Sequence, residues 1–183
     1  MDLATLREQL PEYAKDLKLN LGSVLTASSL TEAEAWGSGL AAALVSKNPM
    51  VIQALKTECH ARLTPAQMQG VAAAAAIMSM NNVWYKLVSL HDDAEVKQVP
   101  ARLRMQVIGS HGGVEKRLFE AWSLAVSVVN SCPACVTSHT KVLRQEGMTA
   151  QNIADIGRIA AVIKAVSDTL TFDAYLQAPA IED

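Results

Sequence analysis

The sequence predicts an all-α protein, and three observations carry that prediction. Half of the 183 residues are hydrophobic but only 4% are aromatic. The apolar residues are mostly alanine, leucine and valine, a set that suits close-packed helices better than a β-sandwich. Helix-start signals recur along the chain, at Thr31, Thr64-Pro65, Pro133 and Thr149. No stretch alternates with period two and no βαβ pattern occurs, which argues against a thioredoxin fold despite a CxxC motif.

Taken in order, residues 2 to 10 read as a short amphipathic helix stopped by Pro11, and a second short helix runs from Pro11 to about Leu21, near Gly22. Thr31-Glu32-Ala33-Glu34 is a capping-box pattern that opens a helix through Trp36 and Leu40 to about Val45. Asn48-Pro49 ends it, and Pro49 to Cys59 forms the next helix. Thr64 is an N-cap with Pro65 at the first helical position, starting a long helix to about Leu90. His91 to Pro100 is a charged loop or short helix, and Arg102 to Ile108 one more short helix before Gly112-Gly113. Val114 to Val129 is helical, with Leu118, Trp122, Ala125 and Val129 on one stripe. Pro133 to Gln145 follows, closed by Gly147, and Thr149 caps a last long helix from about Ala150 to Tyr175.

The length fits a single domain over 1–183 with a sizeable core. A net charge of -2 gives no electrostatic case for nucleic acid or an anionic membrane. The N-terminus carries charge where a signal peptide needs an apolar run. The longest apolar run, Val71 to Met78, is far too short to span a bilayer. A cytoplasmic setting follows, where a CxxC is catalytic or metal-binding more often than structural.

The chain also repeats itself. Glu34-Ala35-Trp36 returns as Glu120-Ala121-Trp122, Leu63-Thr64-Pro65-Ala66-Gln67-Met68 is answered by Met148-Thr149-Ala150-Gln151-Asn152-Ile153, and Ala75-Ala76-Ile77 by Ala161-Val162-Ile163. The near-constant offset points to a duplicated helical unit, with one repeat over about 31–90 and another over about 115–176. At the Glu34-to-Glu120 offset, Ser46 faces Cys132, Pro49 faces Cys135 and Gln53 faces His139. The N-terminal repeat thus lacks thiols at the matching positions, and the C-terminal repeat is the active half.

The chemistry concentrates between Glu120 and His139. Proline disfavours the α conformation in the residue before it, so Cys132 is expected to be the N-cap and Pro133 the first helical residue. The helix dipole at that position favours a thiolate by roughly 0.3–2 kcal/mol. Side chains at i,i+3 have Cβ atoms about 5–6 Å apart, whereas a disulfide wants about 3.5–4.5 Å. Closing a bond there requires the first turn to tighten, which would make the disulfide reducible. Cys135 and His139 are i,i+4 neighbours, so the imidazole is placed to take a proton from the Cys135 thiol. General CxxC logic instead names Cys132 as the attacking thiol, and spacing leaves both open. Glu120 begins an apolar run and reads, from spacing alone, as a solvated residue near a helix start. Cys59-His60 could complete a zinc site with Cys132, Cys135 and His139, although the spacing matches no familiar zinc module and a buried spare cysteine is commoner. His91 and His111 read as solvated loop residues, and Met78, Met80 and Trp84 as core or subunit contact.

These residues resemble a known family. Leu10-Pro11-Glu12-Tyr13-Ala14-Lys15-Asp16 with Lys18-Leu19-Asn20-Leu21, Ala76-Ile77-Met78 with Met80-Asn81-Asn82-Val83, Leu103-Arg104-Met105, and Phe119-Glu120-x-Trp122-Ser123-x-Ala125-Val126-Ser127 running into Cys132-x-x-Cys135-x-x-x-His139 are similar to the AhpD alkylhydroperoxidases of the carboxymuconolactone decarboxylase-like superfamily. The resemblance implies an all-α fold with an internal repeat, a homo-oligomer such as a trimer or its multiple, and a thiol peroxidase acting on organic hydroperoxides. It implies no bound cofactor or metal. The external reductant would be a lipoyl group, dihydrolipoamide on a dehydrogenase-complex E2 protein, and electrons could pass on to the peroxiredoxin AhpC. Carried over, Cys135 would become the sulfenic acid and Cys132 would be the proton donor and resolving thiol of a Cys132–Cys135 redox disulfide. Glu120 and His139 would form a proton relay. One departure stands out: well-known members carry a histidine before the second cysteine, and here that position is Ala134. Two other readings stay open at this level, a disulfide-exchange adaptor for AhpC with little peroxidase activity and a non-redox helical zinc-binding or scaffold protein.

Overall fold

The structure, a computed structural model, describes residues 1–179. Among these residues there are ten α-helices and no strand: α1 Leu3–Glu8, α2 Lys15–Ser23, α3 Glu32–Ser46, α4 Pro49–His60, α5 Pro65–Leu90, α6 Ala94–Gln98, α7 Gln106–Gly109, α8 Lys116–Val129, α9 Pro133–Gln145 and α10 Ala150–Gln177. The protein is all-α, and no described helix is long and apolar enough to cross a membrane.

The centre is the pair α3 and α8. The long helices α5 and α10 each pack across both, α4 flanks α3, α9 flanks α8, and α1 and α2 close over α4 and α10. Their buried side chains join into one continuous hydrophobic cluster that runs from Leu6 to Leu170. Small residues let the central pair approach. A Cβ on Gly37 would lie 2.1 Å from the Trp122 indole nitrogen, so only glycine fits there. That indole N–H donates to the Ala33 carbonyl at 3.0 Å, which pins α8 to the start of α3. Trp122 is fully buried; a side chain of this size contributes about 3–5 kcal/mol as judged by truncation.

Capping sets most of the boundaries. Thr31 with Glu34, Thr64 with Gln67 and Thr149 with Asn152 each close a reciprocal capping box, satisfying two otherwise unpaired backbone groups per helix start. Three expectations need correction. The chain makes only a 3-10 turn at Glu12–Ala14 after Pro11, and α2 begins at Lys15 and includes Gly22. The segment from Arg102 is not helical: Arg102 has φ 48°, a left-handed conformation that cannot enter an α-helix, so α7 starts at Gln106. His111 is not simply solvated, because its ring meets the Phe119 ring edge-on at 6.2 Å. His91 accepts the Asp93 amide hydrogen at Nδ1, 3.3 Å away, and ends α5 as its C-cap.

The connections α3–α4 and α8–α9 share one local form. In the first, Lys47 is left-handed (φ 65°), Asn48 is the N-cap and Pro49 the first helical residue. In the second, Ser131 is left-handed (φ 54°), Cys132 is the N-cap and Pro133 the first helical residue. The residue in the place of Cys132 is therefore Asn48, not the Ser46 that a constant offset pairs with it. The second segment is two residues shorter between the tryptophan and the cap, which shifts the register of α9 against α4 by two residues.

Candidate active site

Cys132 caps α9 as the sequence requires. Its sulfur accepts the Cys135 amide hydrogen at 3.4 Å, and its backbone amide donates to the Ser127 carbonyl at 3.1 Å. The two thiols are joined as a disulfide with the Cα atoms 5.3 Å apart. The loop before the cap is held from α5. The Asn82 amide donates to Ser127 Oγ at 3.0 Å and accepts from the Asn130 amide at 3.0 Å, while Lys86 Nζ donates to the Asn130 carbonyl at 3.1 Å.

A cleft of about 460 Å³ opens beside the disulfide between α5, α8 and α9. Cys135, Glu120, His139, Met78, Asn81 and Tyr85 are among its lining residues, with Ile108 and Val142 adding apolar wall. Cys132 is not among them and is fully buried, whereas Cys135 keeps 5% of its surface exposed. A small molecule entering the cleft therefore meets Cys135 and not Cys132.

Glu120 is not a solvated residue at a helix start. It is buried in the second turn of α8, and its Oε2 lies 2.7 Å from His139 Nδ1. The spacing-based reading took the apolar run after Glu120 as the start of the helix, and Glu34 shows what a glutamate at a helix start does. Glu34 is the third residue of α3 and closes its capping box; α8 begins at Lys116, farther ahead of the motif, so the Glu120 carboxylate has no cap to serve and turns across to α9. The other ring nitrogen of His139 faces Met78 Sδ at 3.3 Å. With the disulfide closed, both nitrogens of His139 are engaged by Glu120 and Met78, and the expected Cys135–His139 contact is not made. Carboxylate and imidazole together can store a proton at the cleft wall and release it there.

Met78 belongs to this site rather than to the core alone, and sequence reading missed it. The available signal was its neighbours: Asn81 and Asn82 are poor helix formers in the middle of a 26-residue helix, which calls for a tertiary reason. Cys59 does not join the thiol pair. It lies on α4, fully buried, with its thiol against the Trp36 carbonyl at 3.5 Å, and burial pushes its pKa up to about 12. No group of three or more His, Cys, Asp or Glu side chains able to hold a metal occurs among the described residues. The donors that a zinc site needs are therefore not gathered there.

Comparison with known proteins agrees with the geometry. The model of the carboxymuconolactone decarboxylase family matches residues 94–178, the span that holds α6 to α10. A protein of Rhodospirillum centenum named alkyl hydroperoxide reductase AhpD is 49% identical over 176 residues, covering 96% of this chain and 94% of its own length. Proteins of the same name are 46% identical in Streptomyces coelicolor, over 97% of this chain and 99% of the relative, and 42% identical in Maricaulis maris, over 93% and 98%.

Proposed function

The chain belongs to the AhpD family of alkyl hydroperoxide reductases, and on that premise we propose that it is a thiol peroxidase that reduces organic hydroperoxides through a Cys132/Cys135 dithiol–disulfide cycle. The observation that carries the reading is the cleft: it exposes Cys135 and not Cys132, and it has the Glu120–His139 pair in its wall. The Cys135 thiolate attacks the distal peroxide oxygen. An S–O bond forms, the O–O bond breaks, two electrons pass from sulfur to the peroxide, and the alkoxide leaves as alcohol with a proton from the Glu120–His139 side. The Cys132 thiol then attacks the sulfenic acid, releasing water and closing the disulfide. Its place at the helix start, with the Cys135 amide donating to its sulfur, favours its thiolate.

Regeneration needs an external dithiol. We assign that role to dihydrolipoamide carried by an E2 protein of a dehydrogenase complex, with AhpC as a further electron acceptor and the cytoplasm as the compartment that keeps the cycle running. We also read the chain as one domain in which the units at about 31–90 and 115–176 are copies of a single ancestor, assembled as a homo-oligomer, a trimer or its multiple. Large apolar side chains left exposed at Leu90, Tyr175 and Leu176 support that assembly, and light scattering measures it.

The test is hydroperoxide consumption by the pure protein with dihydrolipoamide, with and without AhpC. Turnover without AhpC is expected, and Cys135→Ser abolishes it while Cys132→Ser leaves a trappable sulfenic acid on Cys135. Turnover only with AhpC present would make the protein a disulfide-exchange adaptor. Loss of the sulfenic acid in Cys132→Ser but not in Cys135→Ser would reverse the two thiol roles.

A further inference from the structure

One polar side chain in the cleft wall has a buried atom left without a partner, and neither the disulfide nor the Glu120–His139 pair uses it. Asn81 lies on α5, one turn beyond Met78 and one turn before Tyr85, and all three line the cleft. Only 3% of its surface is exposed, and its Oδ1 is buried without a hydrogen-bond partner. The next residue is the control. Asn82 is equally buried, but its amide both donates to Ser127 and accepts from Asn130. Two adjacent asparagines are thus buried in the same continuous helix, and the protein itself accounts for only one.

Buried polar groups are normally paired, and one that is not calls for a reason. Here the reason has a direction, because the orphaned amide borders the space into which Cys135 opens. Nothing among the described residues anchors it through its oxygen, so it is free to turn toward a ligand. A carboxamide offers an acceptor and two donors; the wall also holds apolar Ile108 and Val142 and the hydroxyl-bearing Tyr85 and Ser138, neither of which has a buried atom left unpaired.

We infer that Asn81 is the substrate-orienting residue of the cleft: its carboxamide binds the –O–O–H group of an organic hydroperoxide, and the apolar wall of Met78, Ile108 and Val142 holds the organic part. The amide oxygen accepts the hydroperoxide O–H, which turns the distal oxygen toward Cys135 Sγ. As the O–O bond breaks, the amide N–H donates to the departing alkoxide oxygen until that oxygen is protonated. This deepens the thiol-peroxidase reading and rests on it.

The experiment separates the two half-reactions in the wild type, in Asn81→Leu, which keeps the volume and removes the amide, and in Asn81→Ala. Reduced protein is mixed with cumene hydroperoxide or hydrogen peroxide and the loss of two thiols is timed; oxidised protein is mixed with dihydrolipoamide and their return is timed. The expected result is a fall of about tenfold or more in the oxidative rate constant, the value of one substrate hydrogen bond, with the reductive rate and the thermal midpoint unchanged in Asn81→Leu. A merely structural asparagine would instead lower the midpoint and slow both half-reactions, and that outcome overturns the inference, as does an unchanged oxidative rate in both variants. Wild-type protein that loses no thiols to either peroxide overturns the peroxidase reading first, and the role of Asn81 with it.

Discussion

The units α3–α4–α5 and α8–α9–α10 use the same local devices for different ends. Each has a Glu-x-Trp segment in its first helix, a left-handed residue, an N-cap and a proline before its second, and a threonine capping box on its third. In the first two helices of the first unit the capping polar groups serve structure. Asn48 caps α4 by accepting from Met50 and Val51, and its amide donates to Ser167 and Thr171 on α10. Glu34 closes a capping box and pairs with Arg117 at 2.6 Å. Counting from the two caps, Val51 and Leu55 stand where the second unit has Cys135 and His139, and both are fully buried. Where the first unit has a capping amide the second has a thiol, where the first has two packing residues the second has a thiol and an imidazole, and the second unit's glutamate does not cap its helix. Both connections thus present a buried polar cap, and the second differs by the thiol and imidazole that follow it and by the cleft beside them.

The sharpest way to break this comparison is to exchange the caps. Cys132→Asn is expected to abolish disulfide formation and peroxide turnover, leaving Cys135 alone to be oxidised to a sulfenic acid, while the thermal midpoint stays within about 3 °C, because asparagine is at least as good an N-cap. The reciprocal Asn48→Cys creates no redox activity and lowers stability by about 1–2 kcal/mol, since the cap and the bonds to α10 are lost together. Peroxide turnover by Cys132→Asn would show that the second thiol is dispensable.

A smaller effect separates the two glutamates. Glu120→Gln is expected to lower peroxide turnover by about 10²–10⁴-fold, the usual worth of a positioned proton donor or acceptor, with little change in the unfolding midpoint. Glu34→Gln keeps the capping oxygen but loses the charge opposite Arg117; chemical denaturation should report a loss of about 1–3 kcal/mol, with turnover intact. If the two substitutions had the same profile, the division between a structural and a chemical unit would be wrong.

Much of this was legible in the sequence, and the failures have physical causes. Caps and prolines fix helix starts locally, so Thr31, Thr64, Cys132 and Thr149 were placed correctly. The weak segment between α5 and α8 was not, because a left-handed Arg102 has no sequence marker as glycine does. The chemistry of α9 was visible as a motif, but Glu120 was not readable from spacing: whether a glutamate caps its own helix or reaches another depends on where that helix begins. Met78 was read as core or subunit contact and Asn81 only as part of a motif, because what they face lies between helices, and only the packing of α5 on α9 brings them into the cleft with His139 and Cys135.

The central contact gives a prediction of moderate size. Gly37→Ala gains up to about 1 kcal/mol of helix propensity, yet the new methyl would lie 2.1 Å from the Trp122 indole nitrogen, which its bond to Ala33 holds in place. Overpacking of this kind costs about 1–3 kcal/mol, occasionally more. The clash wins, and a net loss of about 2 kcal/mol, or roughly 4–8 °C in midpoint, is expected in differential scanning calorimetry. An unchanged midpoint would mean that α3 and α8 can separate without cost.

The third cysteine tests the comparison most gently. Counted from the caps, Cys59 falls where α9 has Leu143, and both are fully buried. The thiol thus takes a leucine's place in the core. Burial, opposed by the nearby Arg62 charge and assisted by Glu58, raises its pKa from the ordinary 9.0 to about 12. A raised acid pKa means that the folded protein holds its proton more tightly than the unfolded chain does. Its contribution is therefore complete below pH 9.0 and fades as pH rises towards 12. Two results are expected. Ellman titration of the reduced native protein at pH 8 counts two thiols, and the third reacts only in denaturant. Between pH 9 and 11 the wild type loses more stability than Cys59→Val, which has no proton to lose there. Rapid labelling of all three thiols in the native state would put Cys59 within reach of solvent and remove the contrast between a packing thiol and a reactive pair.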